Sequence, residues 1–204
     1  MPLEAYRKKR NFAETPEPPG GVRRAARRGK PIFVVQKHDA SRLHYDFRLE
    51  INGALTSWAV PKGPSMNPAD KRLAVMTEDH PLEYADFEGV IPSGEYGAGT
   101  VMVWDKGWYE PASGPPLDRQ LARGKIDVVL HGRKLRGGFT LIRTSNRSPG
   151  RSQTRNWLLV KHRDEHADSS WSIDAAALNR SVLTGRTLDE IARGAAPKHQ
   201  RGDA

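Results

Sequence analysis

Leu43-His44-Tyr45-Asp46-Phe47-Arg48-Leu49-Glu50-Ile51 alternates apolar and polar residues without a break. Leu43, Tyr45, Phe47, Leu49 and Ile51 fall on one side, and His44, Asp46, Arg48 and Glu50 on the other. A period of two is the signature of a half-buried β-strand. Such a strand sets an imidazole, a carboxylate and a guanidinium in one row, roughly 7 Å from one to the next. His38 precedes it closely enough to reach the same face. Taken alone, that row has two readings. It is either the wet face of an antiparallel sheet, or a site where His38, His44 and Asp46 bind a metal while Arg48 offers its fork to a phosphate or carboxylate.

Outward from this strand the chain keeps the same character. Pro31–Gln36 is a short apolar strand before it. Asn52-Gly53 follows, the dipeptide a type I′ hairpin turn prefers, and joins it to Ala54–Val60. A loop from Pro61 to Pro68 carries Lys62. Arg72–Thr77 is a further strand, with Arg72 and Ala74 on the face opposite Leu73 and Val75. His80 leaves it and, with Arg72, adds groups of the kind found on the first row. Gly89–Thr100 is glycine-rich but lacks the Lys-Ser/Thr ending of a phosphate-binding loop, and reads as a tight turn.

Val101–Trp104 is a strand, and Trp104–Tyr109 reads as a hairpin-like turn. Pro115–Gly124 is a short helix, with Pro at its start and Gly at its end. Lys125–Leu130, Gly138–Thr144 and Asn156–His162 complete seven or eight short, evenly spaced strands, which indicates an all-β barrel or sandwich. Ser145–Arg155 is a polar loop. Thr187-x-x-Glu190 is a capping box opening a short helix near the C-terminus. The chain divides into a partly flexible basic arm (1–30), a β domain (31–170) and a C-terminal tail (171–204).

The formal charge is +9, and residues 1–30 hold nine Lys/Arg against three Glu. The run Arg23-Arg24-Ala25-Ala26-Arg27-Arg28 is either a solvated tail or a grip on phosphates. This balance points to a polyanion, nucleic acid first. There is no cysteine, which excludes disulfides, thiolate metal sites and a cysteine nucleophile. No apolar run reaches the length of a membrane span, and the N-terminus has no apolar signal region. A cytoplasmic, nucleoid-associated protein without membrane contact is expected. His162-x-x-x-His166 straddles a strand end and is set aside as a zinc site. Arg201-Gly202-Asp203 is a chance tripeptide. Trp58, Trp104 and Trp157 lie in strand patterns and are assigned to the core.

Four stretches together resemble the 3′-phosphoesterase domain of bacterial DNA ligase D. They are Lys37-His38-x5-His44-Tyr45-Asp46-Phe47-Arg48-Leu49-Glu50, Trp58–Ser65, Glu78–Tyr84, and Gly89-x-Ile91-Pro92-x-Gly94-x-Tyr96-Gly97-Ala98-Gly99. Tyr6-x-x-Lys9-Arg10-x-Phe12-x-x-Thr15-x-Glu17-Pro18, Trp157-Leu158-Leu159-x-Lys161 and Ser181–Thr187 match as well. The resemblance implies a compact, closed or nearly closed β-barrel of about eight strands, mainly antiparallel, with short peripheral helices and tails. It also implies a manganese-dependent enzyme that heals DNA 3′ ends in double-strand break repair by non-homologous end joining. Such an enzyme removes a terminal ribonucleoside to leave a 3′-phosphate, then removes that phosphate to leave a 3′-OH.

By the same carry-over, His38, His44 and Asp46 hold the metal. Arg48, His80 and Arg72 bind phosphate, with Tyr84 and Lys62 around it, and Arg10 and Glu17 support the site from the arm. His80, if protonated, donates to the phosphate or the leaving oxygen. DNA 3′ ends are the implied partners, with end-binding Ku or a separate ligase or polymerase beside them. The polymerase and ligase modules are missing, so a free-standing monomer is expected. One position departs from the pattern: the family usually has Asp after the arm arginine, and here it is Asn11. Two other functions fit the residues alone. One is a non-catalytic DNA-binding repair adaptor. The other is a non-haem iron oxygenase using His44-x-Asp46…His80.

Overall fold

A computed structural model describes residues 3–21, 29–144 and 155–198. The basic run Arg23–Arg28, most of the Ser145–Arg155 loop and Arg201-Gly202-Asp203 lie outside the described residues. A short helix, α1 (Glu4–Lys8), comes first. Three strands follow as a meander: β1 (Ile32–Asp39), β2 (Leu43–Ile51) and β3 (Ala54–Val60). The turn between β2 and β3 has φ of 52° at Asn52 and 78° at Gly53, the left-handed pair a type I′ turn requires. Then come β4 (Arg72–Met76), a 3₁₀ turn (Leu82–Asp86), β5 (Gly89–Ile91) and β6 (Gly99–Pro111). Helix α2 (Leu117–Arg123) leads to β7 (Lys125–Gly132), β8 (Arg136–Arg143) and β9 (Asn156–Lys161). Helix α3 (Leu188–Ala192) is opened by the Thr187–Glu190 capping box.

The strands run β1-β2-β3-β4-β9-β8-β7-β6, and β1 pairs again with β6, closing an eight-stranded antiparallel barrel. β5 pairs with the first residues of β6, opposite the edge that β1 takes there. Closure abolishes the open edges a sheet of this size otherwise presents. The interior holds Phe33, Phe47, Leu49, Trp58, Trp104 and Trp157, among others. The three tryptophans are therefore core residues, as expected.

The other face of β1, β2 and β3 is covered too. Ile32, Val34, Leu55 and Val103 form a second apolar cluster under Tyr6 of α1 and Tyr84 and Ala85 of the 3₁₀ turn. The N-terminal arm is thus a roof on this face: Tyr6 is fully buried and its hydroxyl donates to the Pro18 carbonyl at 2.7 Å. The polar row of β2 lies beneath that roof. Leu43 is the exception to the alternation, 45% exposed at the end of its strand.

Trp104–Tyr109 is not a turn. It is the middle of the long strand β6, with a register shift against β1 at Val35/Gln36. Its turn-type residues serve their neighbours. Asp105 accepts the backbone N–H groups of Arg133, Lys134 and Leu135 at 3.0, 3.1 and 2.8 Å, capping the β7–β8 turn. A Cβ at Gly107 would stand 2.1 Å from the His131 carbonyl oxygen. On β4, Ala74 is buried in the barrel core opposite Trp157, and Leu73 is 44% exposed. Arg72 alternates in step with Ala74 and so belongs to the barrel side of its strand.

The C-terminal segment is anchored by Glu88. Its carboxylate accepts from Ser181 Oγ at 2.6 Å, from the Thr184 hydroxyl, and from Arg186 Nη2 at 3.1 Å.

Candidate metal and phosphate site

Under the arm lies a cavity of about 320 Å³, bounded by residues of β1, β2 and β3, the arm, the segment before the 3₁₀ turn, and the loop between β5 and β6. On its floor are His38, His44 and Asp46, whose ligand atoms all lie within 4.8 Å of one another. The pairing of β1 with β2 sets His38 directly opposite His44. Asp46 is two residues further along the same face of β2.

Each imidazole has one nitrogen already committed. His38 donates from Nε2 to the Gly97 carbonyl at 2.9 Å, leaving the Nδ1 lone pair 3.6 Å from Asp46 Oδ2. His44 donates from Nδ1 to the Arg42 carbonyl at 2.9 Å, leaving Nε2 3.7 Å from Asp46 Oδ1. A backbone carbonyl on the outer nitrogen fixes the tautomer, and this is the usual support of a metal-ligating histidine. Two imidazoles and one carboxylate, with their ring nitrogens and oxygens converging, fit a divalent cation. Burial would raise the Asp46 carboxyl, but the Arg48 guanidinium beside it favours the charged form, and the group is held well below the usual carboxylate range. Asp46 is therefore a carboxylate, the form a cation needs.

Beside the donor set stands a cationic wall. Arg48 is 2% exposed. It donates from Nε to Gln36 Oε1 at 2.8 Å, from Nη1 to Ser57 Oγ at 2.8 Å, and from Nη2 to Asp46 Oδ2 at 3.1 Å. These contacts fix the guanidinium plane at the cavity wall, and the second Nη2–H is left for a ligand oxygen. Arg10 reaches in from the arm. Its Nε donates to Glu17 Oε1 at 2.8 Å, and the same oxygen accepts the Tyr84 hydroxyl at 2.9 Å. Glu17 Oε2 accepts the Thr15 hydroxyl at 2.9 Å. A buried carboxylate thus sets both Arg10 and Tyr84.

His80 sits between the two guanidinium groups, its Nδ1 2.9 Å from Arg48 Nη1 and its Nε2 3.3 Å from Arg10 Nη2. Nδ1 also lies 2.9 Å from the Glu78 carbonyl. Only Nδ1–H directed to that carbonyl, with Nε2 accepting from Arg10, gives both ring nitrogens a complementary partner. Burial, followed by Arg48 and Arg10, pushes the His80 imidazole well below its ordinary value. The free protein carries it neutral, not as the protonated donor the sequence allowed for. The His44-x-Asp46…His80 donor set of an iron oxygenase is not formed.

The structure brings together His38, His44, Asp46, Arg48, His80, Tyr84 and Arg10 around one cavity, with Glu17 behind Arg10 and Tyr84. It places Lys62 and Arg72 elsewhere: they line a separate cavity with Lys71 and Asp70, and Arg72 Nη2 donates to Asp70 Oδ2 at 2.8 Å. The barrel-side phase of Arg72 accounts for the separation. Gln36 and Ser57, which hold Arg48, escaped sequence reasoning. Gln36 shares a strand face with His38, and that alternation was the available signal.

The closed antiparallel barrel thus carries a cationic, carboxylate-backed pocket on its outer wall. The chain belongs to the DNA ligase D 3′-phosphoesterase domain family, whose model matches residues 36–143. It is 50% identical over 206 residues to the multifunctional non-homologous end joining protein LigD of Pseudomonas aeruginosa, covering 98% of this chain and 24% of that protein. The corresponding LigD repair protein of Mycobacterium tuberculosis is 48% identical over 143 residues, 70% of this chain and 18% of its own length. LigD of Mycolicibacterium smegmatis is 44% identical over 168 residues, 80% of this chain and 21% of its own length. The chain thus spans about a quarter or less of these relatives.

Proposed function

We propose that this protein is a divalent-metal-dependent phosphoesterase that heals DNA 3′ ends, acting first as a 3′-ribonucleoside phosphodiesterase and then as a 3′-phosphomonoesterase. The observation that carries this reading is the pair of preset tautomers: His38 and His44 both turn a bare nitrogen towards Asp46 beside the Arg48–His80–Arg10 wall. His38, His44 and Asp46 hold the cation, with Mn²⁺ the ion the family resemblance favours. A bound cation supplies Lewis-acid neutralisation of phosphoryl charge.

The chain's own groups do the rest. Arg48 and Arg10 direct N–H groups at the non-bridging oxygens, where charge builds in the transition state. A phosphate anion between the two guanidinium groups offsets their effect on His80, so its Nε2 takes up a proton as substrate binds and returns it to the leaving oxygen. In the first hydrolysis water adds to phosphorus and the bond to O5′ of the terminal ribonucleoside breaks, leaving a 3′-phosphate. In the second, water adds again and the bond to O3′ breaks, giving a 3′-OH and inorganic phosphate. Lys62, Lys71 and Arg72, in their separate cavity, take a backbone phosphate of the DNA rather than the reacting one.

The test is a primer–template ending in one 3′ ribonucleotide, incubated with Mn²⁺ or with EDTA. Successive 3′-phosphate and 3′-OH products with Mn²⁺ only are expected. DNA binding with unchanged ends would instead identify an adaptor. Repair proteins at the same end, such as Ku or a separate polymerase or ligase, belong to this reading as partners.

A further inference from the structure

Tyr96 lines the cavity together with Arg10, Arg48 and His80. The Arg10 guanidinium stands 5.7 Å and Lys9 Nζ 4.4 Å from its ring centroid. Tyr96 is 49% exposed, one of few large apolar side chains so open among the described residues. It is nevertheless held in place. The next residue, Gly97, accepts the His38 Nε2–H at 2.9 Å, tying the loop to the proposed donor set. Lys9 Nζ reaches the Tyr96 hydroxyl at 3.1 Å and Glu78 Oε2 at 3.0 Å, and the Asn11 N–H reaches Glu95 Oε2 at 3.3 Å. These contacts staple the arm to the β5–β6 loop across one end of the cavity.

We propose that Tyr96 is a specificity-determining residue: its open ring receives the base of the terminal nucleoside that leaves in the diesterase step. This rests on the phosphoesterase reading above and adds the leaving-group subsite to it. An aromatic face accepts any base, because every base has a π-face to stack. The Tyr96 wall and the neighbouring guanidinium groups then receive the two halves of one nucleotide, base and phosphate. The cavity volume, near the lower end of the range for small-ligand sites of about 300–1,000 Å³, suits a single nucleotide unit. A 3′-phosphate end has no nucleoside beyond its phosphorus, so the monoesterase step makes no use of this wall.

The experiment compares Tyr96→Ala and Tyr96→Phe with wild type on two primer–templates, one ending in a 3′ ribonucleotide and one in a 3′-phosphate. The ratio of kcat/KM on the diester to kcat/KM on the monoester is expected to fall about tenfold in Tyr96→Ala, chiefly through KM, and to recover in Tyr96→Phe. Fluorescence anisotropy in EDTA is expected to show the same preference: Tyr96→Ala binds the ribonucleotide end more weakly than wild type, relative to the 3′-phosphate end. An active wild type with a ratio unmoved by Tyr96→Ala, including an equal loss on both substrates, overturns this inference alone. A wild type inert on both ends with Mn²⁺ overturns the phosphoesterase reading and this inference with it.

Discussion

Nδ1 of His38 and Oδ2 of Asp46 face each other 3.6 Å apart across neighbouring strands, and the same oxygen accepts from Arg48 Nη2 at 3.1 Å. His44 completes the set from the other oxygen of the same carboxylate, at 3.7 Å. Removing either imidazole opens the donor set. His44→Ala is expected to lower both the diesterase and the monoesterase rate by two or more orders of magnitude. It should also abolish the stabilisation by Mn²⁺ expected of wild type, about 2.7 kcal/mol at a hundredfold excess over Kd and read as a rise in Tm. Full activity in the variant would sink the metal assignment.

Glu17 and Arg10 form an ion pair whose side chains are 0% and 4% exposed, and Tyr84 shares the same carboxylate oxygen. Glu17→Ala takes the Nε partner from Arg10, which keeps Glu78 at 3.4 Å, and leaves the buried Tyr84 hydroxyl without its acceptor. A loss of about 1–3 kcal/mol is expected, read from urea denaturation. Adding Arg10→Met should restore part of the stability while leaving activity low. A single variant as stable as wild type would contradict the buried pairing.

His80 is held neutral by burial and by two guanidinium neighbours, so its folded pKa lies below its unfolded value. The unfolded state therefore binds the extra proton between those two values, and stability falls as pH drops below about 6.5. His80→Asn keeps a donor for the Glu78 carbonyl and removes the titration. Its stability should change less than that of wild type from pH 7 to pH 5. Parallel curves would show that His80 protonates freely in the fold.

Glu88 gathers Ser181, Thr184 and Arg186 onto one carboxylate, itself buried. Glu88→Ala is expected to cost at least about 2 kcal/mol and to expose the 181–186 segment to limited proteolysis before the barrel. Proteolysis beginning within the barrel strands would refute that order.

Asn11 Oδ1 accepts the Ala13 N–H at 3.2 Å, a role an aspartate fills equally. Its side chain is exposed and is absent from the cavity wall. Asn11→Asp is expected to leave both activities equal or higher. A large loss would mean that neutrality beside Glu95 matters at this corner of the arm.

The period-two pattern of Leu43–Ile51 located the strand, its core face and its row of chemical groups, because all three are local properties. The tight turn at Asn52-Gly53, the helix ending at Gly124 and the capping box at Thr187 were legible for the same reason. Closure of β1 onto β6 was not, since no local signal marks two distant strands as partners. Asp105 and Gly107 looked like turn residues because one caps a neighbouring turn and the other makes room for a neighbouring carbonyl. Covering the polar row is a tertiary event. Nothing within β2 tells that Tyr6 and Tyr84 will lie over it. Arg72 was recognised as a phosphate-type residue, but its strand phase against the barrel interior depends on the match of Ala74 with Trp157.

The seam between β1 and β6 ties assembly of the site to the folding clock. His38 lies opposite Val101 in that seam, and the Gly97 carbonyl that fixes its tautomer comes from the loop leading into β6. Until residues far apart in the chain have met, His38 has neither its orientation nor its neighbour. Such long-range pairing is the slow part of folding a β-rich chain. On the metal assignment proposed above, cation uptake by a refolding sample is expected to mark the closing of its last seam.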